Sequence, residues 1–258
     1  MKMFYTFTQD FYPMVENFVE SIKDSPEELK LHPIMKNYGY NGEIGGGKEG
    51  FLARKEMIDK ALDATADNEW FIISDVDVVF YQPVMPYIME LISTSPLRRK
   101  DNDTGRMYLS TPEIYFQKEN DLPKLTHGRF VNVGFMLMKN CLRVKKFWDD
   151  IYRAYFNTEQ LEQTLTNAWL QFSSSYFVDI NTQHHATHFF PTYGYMSNDI
   201  WNMTLGLETL DKSIILHHAN QATTQKEKFV QFRKIKNIVA NKTEGKSSFM
   251  KKQLGRQK

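Results

Sequence analysis

Two carboxylates spaced i, i+2 close an apolar run in Phe71-Ile72-Ile73-Ser74-Asp75-Val76-Asp77-Val78-Val79-Phe80. Burying a carboxylate is expensive unless it is paired, so two of them in this setting need cations. A hard divalent cation bound by oxygen ligands serves both at once. The plainer alternatives are a solvent-exposed strand end and a helix N-cap. Further ligand types follow a second apolar run, in Ile214-Ile215-Leu216-His217-His218-Ala219-Asn220. A His pair alone is more often structural, but this one also ends a strand-like run. Imidazole together with carboxylates suits manganese or a similar metal.

These residues need elements to position them. Trp70–Ser74 reads as a buried parallel strand, and ligands of open α/β sheets bind outside the carboxyl ends of strands. Upstream, Met3–Thr8 reads as a first strand. Pro13 then opens a helix with Met14, Val15, Phe18, Val19 and Ile22 at helical spacing. Residues 25–50 read as a long glycine-containing connection. Phe51–Ala64 reads as a helix with Phe51, Ile58, Ala61 and Leu62 inward. Downstream, Met85–Ile92 reads as a helix, 97–104 as a polar surface loop, and Met107–Thr111 and Phe130–Met138 as strands. Val144–Phe156 and Glu159–Phe172 read as helices and Ile214–His217 as a last strand. Early strand–helix alternation followed by mixed elements predicts an α/β domain.

The chain has 258 residues, enough for one large domain with a sizeable core. At 41% hydrophobic and 24% charged, its composition excludes wholesale disorder. A single cysteine, Cys141, excludes a disulfide framework and a multi-cysteine zinc site. The net charge of +1 hides an asymmetry. Residues 225–258 carry 11 Lys and Arg against 2 acids, a net of +9, so residues 1–224 carry −8. The arm has helical potential at Phe229–Val239; beyond Asn241 its low apolar content predicts a mobile tail. The first residues do not read as a signal peptide, and no apolar stretch of transmembrane length is expected. A cytoplasmic location is therefore expected, and the sequons at Asn202 and Asn241 carry no weight.

Four elements, taken in order, resemble a known family: Ser74-Asp75-Val76-Asp77, Val131-Asn132-Val133-Gly134-Phe135, Glu162-Gln163 and His218-Ala219-Asn220. They look like a glycosyltransferase of the GT-A fold, in the nucleotide-diphospho-sugar transferase family. The resemblance covers residues 3–228. It implies a single Rossmann-like α/β domain over residues 1–224, with a mainly parallel central sheet flanked by helices. Residues 225–258 then form a basic extension whose first part packs on that domain.

The resemblance also implies roles. Asp75, Asp77 and His218 would hold Mn2+ or Mg2+ across the diphosphate of a nucleotide-sugar donor, with His217 competing for the third place. Thr6, Phe7 and Thr8 would cradle the nucleoside, with Ser74 and Asp75 beside it. Lys55 would face the donor, Asn132 and Gly134 would lie against the donor sugar, and Lys226 or Lys228 would reach the diphosphate. Glu162 and Gln163 match the acid–Gln pair near the anomeric carbon and would be the catalytic residues; Asp is usual where Glu162 stands. The reaction implied is hexosyl or pentosyl transfer to a glycan or glycoconjugate hydroxyl, with retention favoured. Alternatives are a non-catalytic nucleotide- or sugar-binding protein, a metal-dependent nucleotidyltransferase and a phosphohydrolase.

Other patterns compete less well. Gly45-Gly46-Gly47-Lys48-Glu49-Gly50 satisfies G-x-G-x-x-G but lacks a preceding strand, and Glu49 stands where a phosphate-binding loop needs Ser or Thr. It reads as a flexible lid or a plain loop. His184, His185 and His188 read as structural or acceptor-side. Trp148, Tyr152, Tyr155 and Phe156 repeat at helical spacing and read as core, whereas Trp169, Tyr193, Tyr195 and Trp201 are acceptor-platform candidates. No nucleic-acid motif accompanies the basic arm, so nucleic acid is not an expected partner. Peripheral contact with an anionic membrane is a further reading of the arm.

Overall fold

The computed structural model describes residues 1–23, 29–36, 47–93, 97–100, 107–118, 131–158, 162–175, 191–196, 200–201, 215–219 and 224–254. The expectations for Asn220 and for His184, His185 and His188 lie outside them. In chain order the strands are β1 (Lys2–Thr8), β2 (Lys30–Lys36), β3 (Trp70–Ser74), β4 (Val78–Phe80), β5 (Leu97–Lys100), β6 (Met107–Ser110), β7 (Ile114–Lys118), β8 (Val131–Lys139), β9 (Tyr193–Tyr195), β10 (Ile200–Trp201) and β11 (Leu216–His218). The helices are α1 (Tyr12–Ile22), α2 (Gly47–Ala64), α3 (Met85–Ser93), α4 (Leu142–Thr158), α5 (Glu162–Ser175) and α6 (Gln225–Leu254).

The central sheet runs β2-β1-β3-β8-β7-β9. It is mainly parallel: β8 alone runs against its two neighbours, and the other five strands share one direction. Both faces are covered, which is why β3 and the second half of β8, Phe135–Met138, read as apolar runs. Phe71 and Ile73 of β3 join α2, α4 and α5 residues in one cluster, including Met57, Ile58, Phe147, Trp148, Ile151 and Leu165. Ile72 faces the other side, with Met14, Val15, Phe18 and Ile22 of α1 and Phe232 of α6. The result is the expected α/β layering. A smaller sheet, β10-β11-β4, stands beside it.

One irregularity shapes the site. In the β7–β8 ladder Phe116 pairs with Met136, but the next residue, Gln117, pairs with Asn132. Val133, Gly134 and Phe135 therefore bulge out of the ladder. Bulges re-aim side chains and concentrate next to functional sites.

Four expectations need correction. Residues 30–36 are not connection but β2, an edge strand parallel to β1. An edge has one neighbour, so it tolerates Pro33 and the charged Lys30 and Lys36 that disguise it in sequence. Leu97–Lys100 is not loop but pairs with β6 in a two-stranded ribbon. The arm continues as one helix from Gln225 to Leu254. It starts at a reciprocal cap: Glu227 N donates to Thr224 Oγ1 at 3.3 Å and Thr224 N to Glu227 Oε2 at 3.1 Å. Phe156 is also not core, being 56% exposed, whereas Trp148 and Tyr152 are buried.

The first turns of α6 belong to the packed body. Phe232 is buried, its ring lies 6.1 Å from that of His217, and its carbonyl accepts from Tyr81 Oη at 3.2 Å. Phe232→Ala is predicted to cost about 3–5 kcal/mol, and Lys236→Ala, on the exposed face, less than about 0.5 kcal/mol. Urea unfolding of both variants reads the difference; equal costs would contradict the packing.

Candidate metal and donor site

The chain leaves β3 at Ser74 and enters β4 at Val78, so Asp75 and Asp77 sit in the turn between two sheets. The turn is anchored at both ends. Asp75 N donates to Gly134 O at 2.6 Å, and Ala219 N donates to Asp77 O at 2.9 Å. Strand β4 pairs antiparallel with β11, placing His218 opposite Val78. His218 Nε2 then lies 3.1 Å from Asp77 Oδ1 and 3.7 Å from Asp75 Oδ2. The ligand atoms of Asp75, Asp77 and His218 all fall within 4.8 Å of one another. Two carboxylates and one imidazole are a donor set that suits a divalent cation such as manganese or magnesium.

His218 competes with His217 no longer. Successive residues of a strand face opposite ways. His217 Nε2 points to Gln231 Oε1 at 3.3 Å, and burial lowers its pKa to about 4, so it stays neutral. His218 is held from two directions. Its Nδ1 lies 3.3 Å from Gln117 Oε1. Its ring lies against the bulge, where a Cβ on Gly134 would come within 2.0 Å of its Cε1. Position 134 must therefore be glycine for the imidazole to lie there.

Two basic side chains hold the acids in place. Lys228 Nζ donates to Asp77 Oδ2 and, at 3.1 Å, to Ala219 O. Burial acts to raise the Asp77 carboxyl, but His218 and Lys228 outweigh it and hold it well below the usual range. Arg54 NH2 bonds Asp75 Oδ1, its NH1 donates to Val133 O at 2.8 Å, and its Nε reaches Glu162 Oε2 at 3.0 Å. Burial opposes the charge on Arg54, yet Asp75 and Glu162 more than restore it. Glu162 Oε1 accepts from Tyr152 Oη at 3.1 Å, so both its oxygens are engaged. Burial, with Asp75 nearby, raises Glu162 to about 7; Arg54 pulls the other way but is shared with Asp75.

An amide row adjoins this network. Asn132 Oδ1 accepts from Gly134 N at 2.8 Å, and its Nδ2 donates to Gln163 Oε1 at 3.2 Å. Glu162 and Gln163 stand in the first turn of α5, at its N-terminus. Thr6, Phe7 and Thr8 end β1, next to β3. Thr6 Oγ1 donates to Ile34 O at 3.1 Å, Thr8 bonds Asp10, and Phe7 stacks on Tyr5. Ser74 is buried, its hydroxyl 2.9 Å from Asp75 O. The remaining two basic candidates lie further out. Lys55 pairs with Asp59 at 2.6 Å over the Tyr152 ring, and Lys226 is exposed.

The sequence reading thus passed over Arg54, Gln117 and Tyr152. Arg54 had a signal. It stands three residues after Phe51 and four before Ile58, at the spacing of the inward face of α2, a position it shares with Lys55, so spacing alone does not choose between them. Gln117 had none, because its role depends on a bulge in the neighbouring strand.

No protein-family model and no curated protein matches the sequence. Solved structures do match in fold. The glycosyltransferase GlyE of Streptococcus pneumoniae TIGR4 superposes with a TM-score of 0.51 at 11% identity, over 95% of this chain and 64% of that one. Its apo form gives 0.50 at 11%, covering 63% of that chain, so this chain spans under two thirds of GlyE. A glycosyltransferase involved in glycosylation of the major capsid of PBCV-1 gives 0.51 at 13%, over 90% of this chain and 98% of that one. The architecture is the GT-A fold of these proteins.

Two predictions follow from the geometry. Gly134→Ala drives a methyl group into the His218 ring, so the variant folds with His218 displaced and binds Mn2+ at least ~10-fold more weakly by calorimetry. Unchanged affinity would contradict the close approach. A carboxyl raised from 4.5 to about 7 on folding contributes stability that is full below pH 4.5 and lost as pH rises towards 7. Glu162→Gln should remove that slope, worth at most ~3 kcal/mol, in urea unfolding of the metal-free protein between pH 5 and 8.

Proposed function

We propose, with the GT-A fold as premise, that this chain is a metal-dependent glycosyltransferase. It moves a sugar from a nucleotide-diphosphate donor to a hydroxyl of a glycan or glycoconjugate. The observation that carries this reading is the convergence of Asp75, Asp77 and His218 at the carboxyl ends of β3 and β11, the side on which open α/β sheets bind ligands. These three residues would hold Mn2+ or Mg2+, which when bound neutralises charge developing on the leaving diphosphate.

The chain's own residues divide the remaining work. Lys228 lies on Asp77 and is the protein's cation for a diphosphate oxygen. Arg54, clamped by Asp75, Val133 O and Glu162, holds the Asp75 carboxylate in position. Glu162 acts through Arg54, since both its oxygens are engaged, and is a positioning residue. Asn132 and Gln163 present amide edges to the donor sugar, whose anomeric centre gains oxocarbenium character that amide and carboxylate oxygens stabilise. Thr6, Phe7 and Thr8, with Ser74, form the nucleoside end, and Lys55 and Lys226 add positive potential at the rim. Retention is the favoured outcome: an inverting transfer needs a general base for the acceptor, and Glu162 is occupied.

We assign the catalytic body to residues 1–224 and the start of α6. Exposed Arg233, Lys234 and Lys236 on α6 suit peripheral contact with an anionic surface that carries a lipid-linked acceptor. No helix among the described residues is long and apolar enough to cross a membrane.

A panel of nucleotide sugars tests the reading by slow hydrolysis without acceptor. One donor should turn over with Mn2+, stop with a chelator, and lose at least ~100-fold in Asp77→Asn. Tight binding of a nucleoside diphosphate with no turnover of any donor would instead make this a binding protein. Pyrophosphate release from a nucleoside triphosphate and a sugar phosphate would make it a nucleotidyltransferase.

A further inference from the structure

We propose that Gln117 is the positioning residue that makes His218 a metal ligand, an inference that rests on the metal site proposed above. A neutral imidazole carries one N–H and one lone pair. For Nε2 to face a cation among Asp75 and Asp77, the proton must sit on Nδ1, and a buried N–H needs an acceptor. Gln117 Oε1, 3.3 Å from Nδ1, is that acceptor. If the amide were turned over, its NH2 would donate to Nδ1, the proton would move to Nε2, and the ring would lose its ligand lone pair.

Two features hold the pair in place, and a third marks the cost of this arrangement. Gln117 and His218 are both buried, at 0% and 3% exposed, so water cannot substitute for either partner. The ring cannot swing away over the bulge, because Gly134 already meets it closer than any Cβ could. The amide pays for its orientation: Gln117 Nε2 has no hydrogen-bond partner among the described residues. A buried donor left unmet weakens the fold, so the orientation carries a cost. The bulge accounts for the geometry, since it breaks the ladder between Phe116 and Gln117 and pairs Gln117 with Asn132. Gln117 and Gly134 thereby meet the same ring.

Mn2+ alone, titrated into the full chain by calorimetry and followed by electron spin-echo spectroscopy, tests this. Wild type should show hyperfine coupling from a coordinated imidazole nitrogen. Gln117→Leu should bind Mn2+ about 10–100-fold more weakly and lose that coupling. Gln117→Glu, which keeps an acceptor and removes the unmet NH2, should retain both. Wild-type affinity and coupling in a folded Gln117→Leu would overturn the proposal, as would their loss in a folded Gln117→Glu. If His218→Ala binds Mn2+ as well as wild type and wild type shows no coupling, the metal site itself is wrong, a result distinct from either failure of Gln117.

Discussion

Two carboxylates at the end of a buried strand dictate much of the surrounding structure, because unpaired charge cannot rest in a poorly solvated place. Each acid draws a base from a different part of the chain. Asp75 takes Arg54 from α2, and Asp77 takes Lys228 from α6. His218 arrives between them from β11. Burial alone would push Asp77 towards its neutral form; the cations reverse that and keep it ionised. The same economy leaves Glu162 short, since it shares Arg54 with Asp75 and is raised rather than lowered.

That constraint explains the otherwise irregular path of β8. A regular strand would put a side chain where the His218 ring lies. The bulge at Val133–Phe135 and the glycine at 134 open the space. The bulged backbone is put to use as well: Gly134 O receives Asp75 N and Val133 O receives Arg54. One local distortion thus fixes the loop with the acids, the arginine and the imidazole. Rigidity of this kind is what a site needs if charge is to be stabilised without reorganisation.

The acids were legible in sequence because their setting is abnormal: charge inside an apolar run. His218 was legible by the same logic, and the strand's alternation then separates it from His217. Helix faces of α1, α2 and α4 were legible from spacing. Other parts were not. Strand β2 is disguised by Pro33 and lysines that only an edge allows. Glycine at 134 was expected beside a sugar; what the structure shows against it is the His218 ring, which no spacing rule could reveal. Gln117 is a lone amide in sequence; its meaning comes from pairing across a bulge with residues far along the chain. The charge asymmetry was visible, but not how it divides. Among the described bases of the arm Lys228 meets the acidic pair, while Lys226, Arg233, Lys234 and Lys236 are exposed.

The central claim is that Asp75, Asp77 and His218 hold one divalent cation. Anomalous diffraction from crystals grown with manganese and a nucleoside diphosphate tests it most directly. The account predicts one peak at ligand distance from both carboxylates and from His218 Nε2, with Lys228 moved from Asp77 to a phosphate oxygen. A bound nucleotide with no peak there, and Lys228 still on Asp77, would contradict it.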